Sequence, residues 1–115
     1  MALLSPDLYR EFVLPVDRAI ASKAGTALFH MHASGLHILD ALLENPEIDI
    51  LQVSKDEGRD LAPMIDSLQK IQDKGKCLLV KGRLKQEDVE RIKSDLDPAG
   101  LCVQGVVLDL SLIHI

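Results

Sequence analysis

Two histidines, His30 and His32, stand two residues apart in the segment LFHMHASG. In a β-strand the side chains at i and i+2 point to the same face, so both imidazoles would lie on one side of a sheet and Met31 on the other. Two imidazoles spaced in this way can bind one Zn²⁺, which in catalytic sites takes three protein ligands and keeps a position open for substrate. The alternative interpretation is a hydrogen-bonded core histidine followed by a solvated one.

Other polar side chains that could carry chemistry follow later apolar runs: Gln52, Asp56, Lys81 and Arg83. Asp56 could be a metal ligand, a general acid or base, or the partner of Lys55, and the alternative is a turn aspartate. Lys81 and Arg83 could neutralise a carboxylate or phosphate on a substrate, and the alternative is that both are simply solvated. Gln52 is a further candidate for substrate binding.

The elements that must position these residues alternate in type along the chain. Four short apolar runs, residues 26–32, 48–53, 76–81 and 101–107, predict strands that are covered on both faces. The segments between them carry apolar residues at helical spacing, at 36–43, 61–71 and 89–96. The order is therefore βαβαβαβ, which predicts a parallel sheet with right-handed crossovers.

A helix is predicted to precede this repeat. Ser5 is a suitable N-cap, Pro6 suits the first helical position, and Pro15 predicts a kink before the helix ends near Lys23. Within this helix four apolar residues share one face: Leu8, Phe12, Ala19 and Ile20. Gly75 is predicted to terminate the second helix of the repeat.

The strand count suggests an incomplete barrel. Four parallel strands do not close, so we expect residues 1–107 to form about half of a (β/α)₈ barrel preceded by the N-terminal helix. Residues 108–115, LDLSLIHI, are expected to be a non-native or truncated tail. Active sites of such folds lie at the carboxyl ends of the strands, which is where the candidate residues collect.

Composition excludes several classes of partner. The chain has 13 basic and 18 acidic residues, a net charge of -5 and 3% aromatic residues, so nucleic acid is not an expected partner. Cys77 and Cys102 lie in apolar runs, where reduced thiols would pack as small hydrophobes, and this favours a cytoplasmic protein. A secretory leader and long uncharged apolar stretches are absent from the sequence, so no membrane association is expected.

Five segments in order carry a family resemblance: SPDLYREFVLP, FHMHASGLHILDALLE, IDILQVSKDEG, KCLLVKGRLKQEDVERI and GLCVQGVV. Together they resemble the C-terminal half of the uroporphyrinogen decarboxylase superfamily, over residues 5 to about 107. The resemblance implies a (β/α)₈ barrel. It also implies one of two activities: cofactor-free decarboxylation of a tetrapyrrole carboxylate, or zinc-dependent methyl transfer through a methylated corrinoid.

In the methyltransferases a strand ending in H-x-C supplies two zinc ligands and a later cysteine supplies the third. His30 and His32 stand at the matching positions, so the histidine is kept and the cysteine is replaced. The third ligand, like the arginine-rich loop and catalytic aspartate of the decarboxylase, would lie outside these 115 residues. No catalytic residue of the decarboxylase can therefore be assigned here.

These expectations describe an enzyme fragment whose partner is the missing half of its own barrel and which is inactive alone. Zinc would be the cofactor in the methyltransferase branch, whereas a true decarboxylase needs none. The alternative function, from another class, is a non-catalytic binding module of flavodoxin-like shape that folds on its own from the same four strands.

Overall fold

The four apolar runs form the strands of one parallel sheet in a computed structural model that describes residues 4–56 and 58–106. The strands are β1 (Leu28–His32), β2 (Ile50–Lys55), β3 (Cys77–Arg83) and β4 (Leu101–Val106). Their order in the sheet is β1-β2-β3-β4, and every neighbouring pair is parallel. The predicted parallel α/β fold is confirmed, although β2 and β3 continue two residues further than the apolar runs indicate.

The N-terminal helical segment has three parts: α1 (Pro6–Leu8), a π-helical turn (Tyr9–Val13) and α2 (Leu14–Ala24). Ser5 caps it as predicted, because its hydroxyl oxygen accepts a hydrogen bond from the Leu8 N–H at 3.2 Å. The π-helical turn ends at Val13, two residues before Pro15. The Leu14 N–H donates a hydrogen bond to the Tyr9 carbonyl oxygen. Proline has no N–H of its own, so the predicted irregularity at this position has a local cause.

Three helices connect the strands: α3 (Leu39–Leu42), α4 (Ile65–Asp73) and α5 (Gln86–Asp95). Single 3₁₀ segments, Ala33–Ile38 and Ala62–Met64, lead into α3 and α4. Gly75, with a φ of 76°, lies just after α4, as predicted for a glycine that terminates a helix in the left-handed region.

The hydrophobic core lies between the helices and one face of the sheet. From the sheet it takes Phe29, Met31, Leu51, Val53, Leu78 and Val80, and from the helices Leu39, Leu42, Leu68, Ile71 and Ile92. Each crossover advances one strand in the same direction, and a right-handed crossover then places every helix on the same side. This arrangement accounts for the sequential strand order.

The opposite face of the sheet, here called the open face, is covered by no helix within the described residues. Its exposed side chains are Leu28, His30, His32, Cys77, Lys81, Arg83, Cys102 and Gln104. The prediction of strands covered on both faces is therefore wrong for this part of the chain. The two thiols, expected to be packed among apolar residues, are exposed.

The strand order also differs from the flavodoxin-like order of the alternative interpretation, which reverses direction and places helices on both faces. None of the helices in the described ranges is long and apolar enough to cross a membrane. The expected tail, residues 108–115, lies outside the described residues.

Candidate functional site

His30 and His32 lie side by side on the open face, at the carboxyl end of the edge strand β1. The buried side chain of Met31 points the other way, into the core, as the alternation of a strand predicts. The two imidazole rings stand nearly perpendicular, with centroids 4.9 Å apart. Their Nε2 atoms are separated by 3.3 Å.

The other ring nitrogen of each histidine is held by a neighbouring side chain. His30 Nδ1 lies 2.7 Å from Gln52 Oε1, and His32 Nδ1 lies 2.9 Å from Asp56 Oδ1. Amide and carboxylate oxygens only accept, so both Nδ1 atoms donate. In the neutral imidazole the Nε2 atom then carries the lone pair, and the two Nε2 atoms lie within hydrogen-bond distance of each other.

This arrangement has the chemistry of a metal-binding pair. Zinc binds histidine nitrogen at about 2.0–2.1 Å, and two ligands at a tetrahedral angle are then about 3.3–3.4 Å apart. The observed Nε2 separation of 3.3 Å equals that spacing. Metal-binding histidines also commonly donate their second N–H to a carboxylate or carbonyl oxygen, as both rings do here.

The pair supplies two ligands and not three. Among residues 4–56 and 58–106 no group of three His, Cys, Asp or Glu side chains could hold a metal ion. Cys77 and Cys102 lie at or near the starts of β3 and β4, away from the carboxyl end where the imidazoles stand. Further ligands would have to come from solvent, substrate or residues beyond those described.

The parallel register explains why these groups meet. His30 lies opposite Gln52 and His32 opposite Ser54, so Gln52 shares the face and level of His30. Asp56 follows the last residue of β2 and accepts a second hydrogen bond, at 3.2 Å, from the Ser34 N–H. Asp56 is thus anchored between the end of β2 and the loop after β1. Its hydrogen bond to His32 positions that ring, a role that is not among the sequence-based alternatives for this residue.

Lys55 is not the partner of Asp56, which corrects one of the sequence-based alternatives. It is buried on the helix-covered face, because it alternates with its neighbours along β2. Its Nζ donates to the Arg83 carbonyl oxygen at 2.9 Å and lies 3.7 Å from Asp88 Oδ2. The lysine therefore ties the ends of β2 and β3 to the start of α5.

Lys81 and Arg83 lie on the open face of β3 and are exposed. Lys81 pairs with Ser54, which in turn pairs with His32, so all three stand at the same level. With neighbouring strands about 4.8 Å apart, the Lys81 backbone lies roughly 10 Å from that of His32. Lys81 and the two imidazoles thus lie on one face of the sheet, two strands apart.

Sequence reasoning assigned Gln52 to substrate binding and missed its bond to His30. The detectable signal was register: in a parallel pair, polar residues at equal levels of adjacent strands are neighbours. It also missed the backbone N–H of Ser34 and the carboxylate of Asp88, which depend on loop conformation. His37 is exposed, with its Nε2 2.6 Å from the Leu4 carbonyl oxygen.

Comparisons with protein-family models, with curated proteins and with solved structures each find no match.

Proposed function

We propose that this chain forms about half of a (β/α)₈ barrel of the uroporphyrinogen decarboxylase superfamily and carries part of its zinc site. The enzyme to which this half belongs would transfer a methyl group from a methylated corrinoid. The observation that carries the proposal is the pair of Nε2 atoms 3.3 Å apart, each on a ring whose Nδ1 is already bonded. The order of motifs in the sequence supports the family assignment.

The order of the strands and the placement of the helices on one face support the half-barrel. Four parallel strands run in sequential order with their helices on one face, and eight such units close a barrel whose interior is the opposite face. Parallel sheets are normally covered on both faces, so an open face of this kind calls for a second layer. In a barrel the histidines would line the interior at the mouth that holds active sites.

Each residue of the site has a distinct part in this proposal. His30 and His32 would hold the metal, while Gln52 and Asp56 fix the orientation and tautomer of their rings. When bound, zinc would activate a coordinated thiol or water as a nucleophile. A neutral imidazole in place of the family's thiolate leaves the metal more positive, which favours an anionic fourth ligand.

A second candidate function is cofactor-free decarboxylation of a polycarboxylated tetrapyrrole. The observation that favours it is the exposed Lys81 on the open face, level with His32, with Arg83 two residues further along the same strand. Cations placed there would bind substrate carboxylates. Replacing Lys81 with Glu should then weaken binding of uroporphyrin in an absorbance titration, whereas Lys74→Glu, at an exposed position after α4, should not.

Zinc titration of the whole chain tests the first proposal. We expect wild type to bind one zinc per chain, His32→Ala to lose this binding, and His37→Ala to keep it, since His37 is an exposed histidine away from the pair. Equal binding by wild type and His32→Ala, or no binding by either, would refute the metal site.

A further inference from the structure

A row of apolar side chains is exposed along the N-terminal helical segment. Leu8, Phe12, Val16 and Ile20 recur every four residues and are between 46% and 64% exposed. Three of them belong to the face that the sequence predicts to be apolar, and none is covered by another element of the described chain. We call this row the helix stripe.

A complementary hollow lies at the far edge of the sheet, between α5 and the helix-covered side of β4. Its apolar lining consists of Val89, Ile92, Leu96, Pro98, Leu101 and Val103, and its volume is about 370 Å³. Val89 and Val103 remain 37% and 42% exposed. We call this hollow the edge groove.

The two surfaces lie at opposite edges of the sheet. Ile20, at the end of the helix stripe, lines a smaller cavity with Leu28 and Phe29 of β1, and β1 is one edge strand. The edge groove adjoins β4, the other edge strand. Within the described residues each edge strand has a neighbouring strand on one side only, and soluble proteins usually cover such edges.

We propose that a second copy of this chain covers these surfaces, with the helix stripe of each copy in the edge groove of the other. β4 of one copy then pairs in parallel with β1 of its partner, and the two open faces enclose one interior. Such head-to-tail contacts close when the rotation between copies is two-fold. Two four-stranded sheets supply the eight strands that a barrel requires. The inference rests on the proposed half-barrel.

The exposed apolar area is large enough for a stable pair. The helix stripe, Val89 and Val103 together expose roughly 500 Å² per copy, if each such residue offers about 150–200 Å² when fully exposed. Two copies would bury about 1,000 Å² before the open faces are counted, which is about the lower limit of specific protein interfaces.

The chain directions of the helices and strands are also compatible with this pairing. In a βα repeat the helix before a strand runs antiparallel to it, and the proposal applies this rule to α2 before β1 and to α5 before β4. Parallel pairing of β4 with the partner's β1 therefore sets α2 of the partner alongside α5. The helix stripe then meets the row formed by Val89 and Ile92 of α5 and by Leu96 directly after it, which line the edge groove.

Light scattering on the purified chain tests the proposal. Wild type should have twice the chain mass of 12.7 kDa. Phe12→Lys in the helix stripe and Val103→Asp in the edge groove should each give monomers. Ala62→Lys, which adds a charge at an exposed position of the outer surface, should leave the pair intact.

Mixing the two disrupted variants provides the sharper test. A mixed pair has one unaltered contact and one in which the lysine introduced by Phe12→Lys faces the aspartate introduced by Val103→Asp, so mixing should restore the doubled mass. Recovery on mixing also shows that both variants fold. A face-to-face dimer, in which like surfaces meet, would gain no unaltered contact on mixing.

A monomeric wild type, a polydisperse polymer, or a dimer without recovery on mixing would each overturn the inference. A monomer is the result expected if the surface instead receives a further half-barrel from a longer polypeptide. Zinc binding by the monomeric variants separates the two proposals, since a monomer that binds zinc through His30 and His32 leaves the proposed function standing.

Discussion

At the scale of single residues, the site is defined by what holds the histidines as much as by the histidines themselves. Gln52 and Asp56 each accept one Nδ1 hydrogen, which leaves the two Nε2 atoms, 3.3 Å apart, without a contact to either of these side chains. Asp56 is further fixed by the Ser34 N–H and by Arg59, whose Nε lies 3.9 Å from Oδ2. A ring held in this way is already oriented for a metal ion before binding.

Removing Asp56 should therefore weaken zinc binding without removing a ligand. We expect Asp56→Ala to lower zinc affinity by about 10–100-fold, the usual effect of losing the partner of a metal-binding histidine. Asp60→Ala removes an exposed carboxylate from the same loop and should change the affinity little. Isothermal titration with zinc compares the three proteins, and unchanged affinity in Asp56→Ala would show that this contact does not prepare the site.

Tyr9 is the single tyrosine of the chain, so titration of its phenol reports on the N-terminal helical segment alone. Burial, and then its hydrogen bond to Asp17 at 2.7 Å, raise the pKa of Tyr9 above the ordinary value of about 10. The folded state thus holds the phenol proton more tightly than the unfolded state. Its contribution to the free energy of unfolding is complete below pH about 10 and is lost as the pH rises above that value.

Phenolate absorbance measures this directly. We expect it to appear at higher pH in the native chain than in the chain unfolded in urea, and Asp17→Asn to lower the native midpoint. Coincident native and unfolded titration curves would mean that Tyr9 is not enclosed by this segment.

At the scale of elements, the carboxyl ends of β2 and β3 are held together by contacts on the helix-covered side of the sheet. Gly82, with a φ of 147°, passes so close to β2 that a Cβ there would lie 2.9 Å from the Lys55 carbonyl oxygen. This approach lets Lys55 reach the Arg83 carbonyl and Asp88. Gly82 thereby helps to position the end of β3, which carries Lys81 and Arg83.

Substituting Gly82 should be more harmful than substituting a glycine in open space. We expect Gly82→Ala to lower the free energy of unfolding by roughly 3 kcal/mol, through backbone strain and collision with Lys55. Gly75→Ala, at a φ of 76° with no atom within 4 Å, should cost only about 1 kcal/mol. Urea unfolding measures both values, and equal losses would argue against the close approach.

Sequence patterns predicted the strands and the direction of their side chains better than they predicted which face of the sheet is covered. Alternation along β1 correctly placed Met31 in the core and both histidines opposite, because side-chain direction follows from local backbone geometry. The one-sided covering of the sheet was not anticipated, since short apolar runs look alike whether their second face is covered by this chain or by another. The pairing of Gln52 with His30 required the register between strands, which local patterns do not specify.

At the scale of the whole molecule, the open face links the proposed site to the proposed pairing. It carries the two histidines and both exposed thiols, so an enclosed interior would shelter all of them. An exposed parallel sheet of this width is otherwise unusual in a soluble fold. Enclosure would also exclude water from the proposed metal site, which would strengthen electrostatic interactions there.

Thiol labelling follows from this arrangement. Cys77 and Cys102 should react rapidly with a maleimide in the monomeric Phe12→Lys variant and slowly in wild type, because only the wild-type pair encloses the open face. Cys77→Ser and Cys102→Ser variants assign the signal to each residue. Equally rapid labelling in both proteins would show that the open face remains accessible in wild type.

The central claim is that His30 and His32 form a metal-binding pair, and anomalous diffraction at the zinc absorption edge tests it most directly. A crystal of the wild-type chain grown with zinc should show an anomalous peak about 2.0–2.1 Å from both Nε2 atoms. A peak only at other residues, such as His37, or no peak near the pair, would contradict the account.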